Sequence, residues 1–276
     1  MIDRNTLIRR FSFAAYFVAA FLLFLLFLFP FDRIKSRVES EVRLRTPLEL
    51  SIARISPRFF NQFLLSDVVL SDKQGKVLFE SPSVNTSVSL FSLLRGGMSV
   101  SMKAAAYGGQ LLVTMQQGPG RQSVMLDADG LDISSYTLLR NAGFKLTGKV
   151  GGNFEMTNDA GKGRLSVKGV TSRDLKIKGF AIPDLDFDNG WVEADVRGDR
   201  LMIKKLELNG KELTVRITGD LVLRERGMMN LLIRFKPSER LVHEQAALLS
   251  LLKGRDPEGF YQLTLGGLLS EPTPRF

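Results

Sequence analysis

From Phe11 to Phe29 the chain runs for nineteen residues without a charge, and Ser12 and the Tyr16 hydroxyl are the only polar side-chain groups in that run. A helix of that length rises roughly 28 Å, close to the hydrocarbon thickness of a bilayer. Nothing else in the sequence approaches it, so the remainder is expected to be a domain held beside a membrane. A secretory signal peptide has an apolar core of roughly 7–15 residues and a small-residue cleavage site. Here the core is longer and runs into Phe29-Pro30-Phe31-Asp32 without such a site. Eight phenylalanines between Phe11 and Phe31 would also be odd in a buried soluble helix. The reading is an uncleaved anchor over residues 11–31, with a tail over 1–10, a stalk over 32–46 and one β-rich domain over 47–276. Arg4, Arg9 and Arg10 precede the span and Arg33, Lys35 and Arg37 follow it, so charge alone does not set its orientation. The common arrangement, a short tail inside and a large domain outside, is adopted. The span carries no ionisable residue that could serve a pathway through the membrane, which makes it a tether.

Cysteine is absent, which excludes a disulfide framework, a thiol nucleophile and a thiolate metal site. The formal charge is +9, and a basic surface is drawn to anionic lipid. It would equally suit nucleic acid. However, the Lys and Arg residues are interspersed with acids, and no helix-turn-helix or stacking aromatic motif occurs, so no nucleic-acid partner is expected.

Beyond the span, Ile34, Val38 and Val42 recur every four residues, a helical stripe that Pro47 closes. The period then changes to two. Leu48, Leu50 and Ile52 alternate with Glu49 and Ser51, and Pro57 marks a bend. Val68–Leu70 and Val77–Phe79 flank a polar turn at residues 71–76 and predict a hairpin. Residues 84–90 alternate, and Ser99–Ala106 and Gln110–Gln116 flank the corner Tyr107-Gly108-Gly109. Similar alternation marks strands around Leu165–Val167, Leu175–Ile177, Val192–Val196, Leu213–Ile217 and Leu231–Phe235. Met98–Val113 and Leu201–Val215 form a weak internal repeat.

Strands with one apolar and one wet face belong to antiparallel sheets, and the connections are too short for helical crossovers. Two short helices interrupt the series. One lies over Asp132–Asn141, with Ser134 or Asp132 as its cap. The other runs from Ser238 to Lys253, with Ser238 as N-cap and Gly254 as the stop. Two short helices cannot cover ten or more strands. The fold class is therefore mainly β, a curved antiparallel sheet whose apolar faces meet in a sandwich, curl around themselves or line a groove.

No catalytic constellation emerges. His243 is the only histidine, sits in a Leu-rich helix, and has no G-x-S-x-G partner. The Gly-Lys pairs at 75, 148, 161 and 210 do not complete a phosphate-binding loop. Asp184, Asp186 and Asp188 before Asn189-Gly190 echo a calcium loop, but glycine comes one place late and Asp195 stands where glutamate is required. They read better as a solvated strand entering an Asp-Asn-Gly turn, with Leu185 and Phe187 on the opposite face. Arg197-Gly198-Asp199 reads as a turn. The chain is expected to be no enzyme, with no cofactor and no metal.

The order of parts resembles a known family. After the anchor come the hairpin at Leu65–Leu78, S-L-F-S-L-L-R-G at Ser89–Gly96 and A-Y-G-G at Ala106–Gly109. L-D-I-S-S-Y-T-L-L at Leu131–Leu139 then runs into F-K-L-T-G-K-V-G-G-N-F at Phe144–Phe154, and E-G-F-Y-Q-L-T-L-G-G-L-L-S-E-P at Glu258–Pro272 ends the series. This resembles the type II secretion system protein N family and, more distantly, the AsmA-like β-rich periplasmic proteins. The resemblance implies a single-pass bacterial inner-membrane protein of the general secretion pathway, with a cytoplasmic tail and its bulk in the periplasm. It implies other secretion components as partners and no catalytic residues. The distant relatives imply a curved sheet whose apolar face contacts lipid.

Overall fold

In the computed structural model, the described residues are 31–275 apart from 60, 138, 140–144, 174–175, 178–179, 182–183, 224–226, 251, 253 and 269–270. The apolar run Phe11–Phe29 lies outside them, and no helix among the described residues is long and apolar enough to cross a membrane.

The alternation that begins at Leu48 produces strand after strand, each turning back on its predecessor. The first half comprises β1 (Leu48–Phe59), β2 (Gln62–Asp72), β3 (Val77–Val88), β4 (Met98–Ala106), β5 (Gly109–Gly118), β6 (Arg121–Asp132), β7 (Lys145–Thr157) and β8 (Ala160–Arg173). A two-residue pair, β9 (Lys176–Ile177) with β10 (Phe180–Ala181), stands apart. The second half comprises β11 (Leu185–Arg197), β12 (Arg200–Asn209), β13 (Leu213–Val222), β14 (Met228–Pro237), β15 (Tyr261–Leu268) and β16 (Glu271–Arg275).

All but β9 and β10 form one fourteen-stranded antiparallel sheet in which each strand pairs with the next in sequence. The fold class is mainly β, as expected. These fourteen strands are hydrogen-bonded in one sheet rather than divided between two. At about 4.8 Å per strand the sheet measures roughly 60 Å between its edges. The end at which β1 begins is called the upper end, and the end at which β1 turns into β2 the lower.

Both edges are guarded, as an open sheet requires. Along β1 lies α1 (Phe31–Arg45). The Glu39 carboxylate accepts from the Ile52 N–H at 2.9 Å, and the Lys35 ammonium donates to the Ala53 carbonyl at 3.4 Å. Phe31, Lys35 and Glu39 thus turn their side chains to the sheet. Ile34 and Val38, two of the three residues of the stripe read in the sequence, are 37% and 40% exposed. The physical reason is that an edge strand offers unpaired N–H and C=O groups, which polar side chains satisfy better than apolar ones. Thr46 ends the helix, its hydroxyl donating to the Val42 carbonyl at 2.7 Å and accepting from the Leu48 N–H at 3.3 Å. On the far edge, Pro272 and Pro274 pair with Gly267 and Leu265. Neither proline has an N–H to offer a further strand.

Four details differ from the sequence reading. Pro57 does not end the strand: β1 runs through it to Phe59, with an irregularity in the pairing to β2 between Pro57 and Phe59. Asn189-Gly190 is not a turn, because β11 continues through both in register with β8 and β12. The expected helix at 132–141 opens instead with a 3₁₀ turn at Ile133–Ser135, the Asp132 carboxylate accepting from the Ser134 N–H at 2.8 Å, and Thr137 and Leu139 beyond it are helical. Residues 140–144 lie outside the described set. The helix begun by Ser238 breaks at Gln245 into α3 (Glu239–Glu244) and α4 (Ala246–Leu249). The strands at Arg121–Asp132, Lys145–Thr157 and Tyr261–Arg275 add to those read from alternation. Residues 174–175 and 178–179 of the expected strand around Leu175 lie outside the described residues, whereas Lys176–Ile177 forms β9.

Candidate functional site, an uncovered apolar face

Residues directly opposite in neighbouring strands point to the same side of a sheet. Following the register from β1 to β16 gives a row of Pro57, Phe63, Thr86, Met102, Val113, Leu126 and Phe154. The same row continues through Gly163, Ala194, Ile203, Gly219, Leu231, Leu265 and Pro274. It crosses all fourteen strands, and Thr86 is its only hydroxyl. The Thr86 Oγ1 is buried without a partner, the mark of a polar group turned to an apolar side.

One step toward the lower end, a second row contains Val100, Met115, Val124, Met156, Val196, Leu201, Leu221 and Met229. One step toward the upper end, a third joins Leu111, Ala128, Leu165, Val192, Leu206, Ile217, Ile233 and Leu263. A fourth contains Val150, Val167, Leu208, Val215 and Phe235. Successive rows lie about 7 Å apart, so the four make a band about 20 Å wide.

Local irregularities keep this side apolar. Leu201 and Ile203 would fall on the opposite face from Leu206 and Leu208 in an unbroken strand. The register shift between Ile203 and Leu206 restores the phase. Ile52 and Ile55 in β1, and Val68 and Leu65 in β2, are likewise three apart yet pack in one cluster. Asp67, between Val68 and Leu65, has a positive φ of 49°. Gly152 faces Ala128 on one side and Leu165 on the other with φ 147°. A Cβ there would lie 2.2 Å from the Arg164 carbonyl oxygen. Gly161 and Gly163 make room for the Phe154 ring, whose atoms would stand 2.9 and 3.0 Å from a Cβ at each.

Burial along this face is uneven. Over the first four strands Ile52, Val68, Val84 and Ala104 are 2–7% exposed and form a core. From β5 to β15 the same face is mostly half-buried, with Leu165 at 38% and Met115 at 41%. No second layer of described elements covers it. Contiguous apolar surface of this extent on a protein marks a binding surface.

The opposite face is polar. In register across β4–β12 stand Lys103, Leu112, Asp127, Asn153, Arg164, Glu193 and Lys205. Arg164 pairs with Glu193 at 3.2 Å. An open depression of about 490 Å³ lies over this row, lined by Lys103, Asp127, Asp129, Asn153 and Arg164 among others. Farther along, Phe260 is buried beneath Arg216 and Arg234, whose guanidinium carbons stand 4.7 and 5.0 Å from its ring centre. Arg234 also pairs with Asp256 and, at 3.3 Å, with Glu258. These contacts fasten the 238–260 connection onto the polar face.

The residues weighed in the sequence fall in separate places. Asp186 and Asp188 are exposed, with Leu185 and Phe187 buried opposite, as expected. Arg173 reaches Asp186 at 2.6 Å and Asp184 at 3.7 Å, which supplies their countercharge. No group of three or more His, Asp or Glu residues suited to a metal occurs among the described residues. His243 is exposed on α3, far in sequence from these acids. Gly198 turns with φ 56° between β11 and β12. Comparison with known families, curated proteins and solved structures finds no match to this chain.

Proposed function

We propose that this chain is a membrane-anchored cell-envelope protein that receives lipid acyl chains on its apolar sheet face. The observation that carries the reading is the row from Pro57 to Pro274, apolar except for Thr86, flanked by further apolar rows and left uncovered beyond the first four strands. An acyl chain spans about half of a ~30 Å hydrocarbon core, roughly 15 Å, and the band is about 20 Å wide. The face offers apolar area without a fixed polar contact, which suits a class of chains better than one ligand. No catalytic step is proposed.

The test uses the full chain with a photoreactive residue at Ile217, on the apolar face, or at Thr218, which points to the other side. Crosslinks to phospholipid at Ile217 and not at Thr218, with phospholipid retained in native mass spectrometry, are expected. Equal labelling at both positions, or none at either, rejects the reading.

A second reading rests on the order of motifs from Leu65 to Pro272, which resembles type II secretion system protein N. It makes the chain a non-enzymatic inner-membrane component of that pathway, with its bulk in the periplasm. Deletion should then leave exported proteins in the periplasm while the envelope lipids stay unchanged. An altered lipid composition with normal secretion would favour the acyl-chain reading alone.

A further inference from the structure

The direction of α1 fixes which end of the sheet meets the membrane. Its first residue, Phe31, packs on Phe63, with ring centres 6.2 Å apart, near the lower end. Lys35 and Glu39 then reach Ala53 and Ile52, and Thr46 meets Leu48 at the upper end. The helix therefore runs antiparallel to β1. The uncharged run Phe11–Phe29 joins the chain just before Phe31, so it arrives at the lower end.

That end also carries exposed apolar side chains where turns are ordinarily polar. Leu90 and Phe91, in α2 (Leu90–Leu94) between β3 and β4, are 54% and 61% exposed. Met98 at the foot of β4 is 44% exposed. Across the sheet, Leu223 is 53%, Met228 59% and Leu268 40% exposed. Apart from Leu44 at the end of α1, the upper-end connections show no comparable large apolar side chain among the described residues.

The lower-end turns hold Arg58, Arg95, Arg121, Arg197 and Arg200 against Asp159 and Asp199, and Arg200 pairs with Asp220 at 3.1 Å. At the upper end cations meet acids: Arg173 pairs with Asp184 and Asp186, Arg240 with Glu212, and Arg255 with Glu239. The Arg95 guanidinium lies 4.1 Å over the Phe91 ring. An aromatic ring backed by a cation suits the boundary between acyl chains and anionic headgroups.

We propose that the lower end of the sheet docks on the bilayer holding Phe11–Phe29. Leu90, Phe91 and Met98 on one side, and Leu223, Met228 and Leu268 on the other, seat in the headgroup region. The apolar face then opens directly onto the hydrocarbon. This inference rests on the anchored reading above, but not on lipid occupying the sheet.

The chain has no cysteine, so F91C, M228C and K73C each introduce a single labelling site. Lys73 is exposed in the upper-end turn between β2 and β3, and all three positions are exposed enough to leave the fold intact. The full-length variants, labelled with an environment-sensitive fluorophore, are reconstituted into phosphatidylglycerol–phosphatidylethanolamine vesicles. Quenching by lipid-borne spin label and by aqueous iodide is then compared. Labels at 91 and 228 are expected to be several-fold more quenched by the lipid probe than the label at 73, and several-fold more shielded from iodide. Equal iodide access at all three positions overturns the proposal, as does lipid quenching at 73 alone or a chain that does not float with the vesicles. Immersion at 91 without phospholipid crosslinks at 217 would leave the docking intact and reject the acyl-chain reading. The reverse pattern would do the opposite.

Discussion

If the apolar face is a core over β1–β4 and an open surface beyond, equal truncations should have unequal costs. Ile52 and Ile217 test this with the same chemistry. Ile52 is 2% exposed, inside the cluster with Val68, Val84 and Ala104. Its truncation to alanine removes buried methylenes and leaves a cavity, a combination worth about 2–5 kcal/mol. Ile217 lies on the same side of the sheet, between Leu206 and Ile233, but is only half-buried. Truncation there opens no closed cavity and should cost about 1 kcal/mol, from lost lateral contacts with its row neighbours. For a domain of this size each kcal/mol moves the midpoint by roughly 2–4 °C. I52A should therefore melt about 9 °C below the parent and I217A about 3 °C below. Thermal scans by far-ultraviolet circular dichroism, on full-length protein in one detergent, measure both. Delipidated samples are needed, because lipid bound to the folded state alone would raise both midpoints. Similar losses at the two positions would mean that the face is covered throughout, and the open-surface argument would fall.

Three further outcomes follow from particular contacts. E39A removes the carboxylate that accepts from the Ile52 N–H. It should cost about 1–2 kcal/mol and speed hydrogen exchange at Ile52 selectively, whereas unchanged exchange would mean that α1 does not guard this edge. G152A forces a side chain into a glycine-only conformation and against the Arg164 carbonyl. It should destabilise by about 3 kcal/mol or more, while G120A, in a turn with open space, should cost about 1 kcal/mol. Equal midpoints for these two variants would refute the steric account. Asp256 is held below the ordinary carboxylate range by the Phe260 N–H, and then by Arg234. A depressed pKa contributes stability above the ordinary value near pH 4, and this is lost as pH falls through the lowered one. Protection of the Phe260 amide, relative to its intrinsic exchange rate, should therefore fall on acidification below about pH 4 in the parent, and D256N should flatten that dependence; an identical acid limb in D256N would contradict it.

How far the sequence could be read depended on range. Period-two alternation is a property of a few consecutive residues, so it revealed β1, β4, β5, β11, β13 and β14 and the antiparallel class. Ser238 was legible as a cap because its partner, the Leu241 N–H, is three residues away. The phase slip between Ile203 and Leu206 was not legible, because it makes sense only against the neighbouring strand. The same holds for α1, where a stripe of Ile34 and Val38 looked like the buried side until the unpaired groups of β1 claimed Lys35 and Glu39.

The sequence by itself determined a nineteen-residue uncharged run long enough for a bilayer and a β-rich remainder with two-faced strands. Each is set by local composition and spacing. Only the tertiary structure decided that fourteen strands align their apolar sides into one continuous face, and that α1 runs back along β1 to bring that uncharged run to the lower end. Both depend on hydrogen-bond register between distant residues, which no local periodicity encodes.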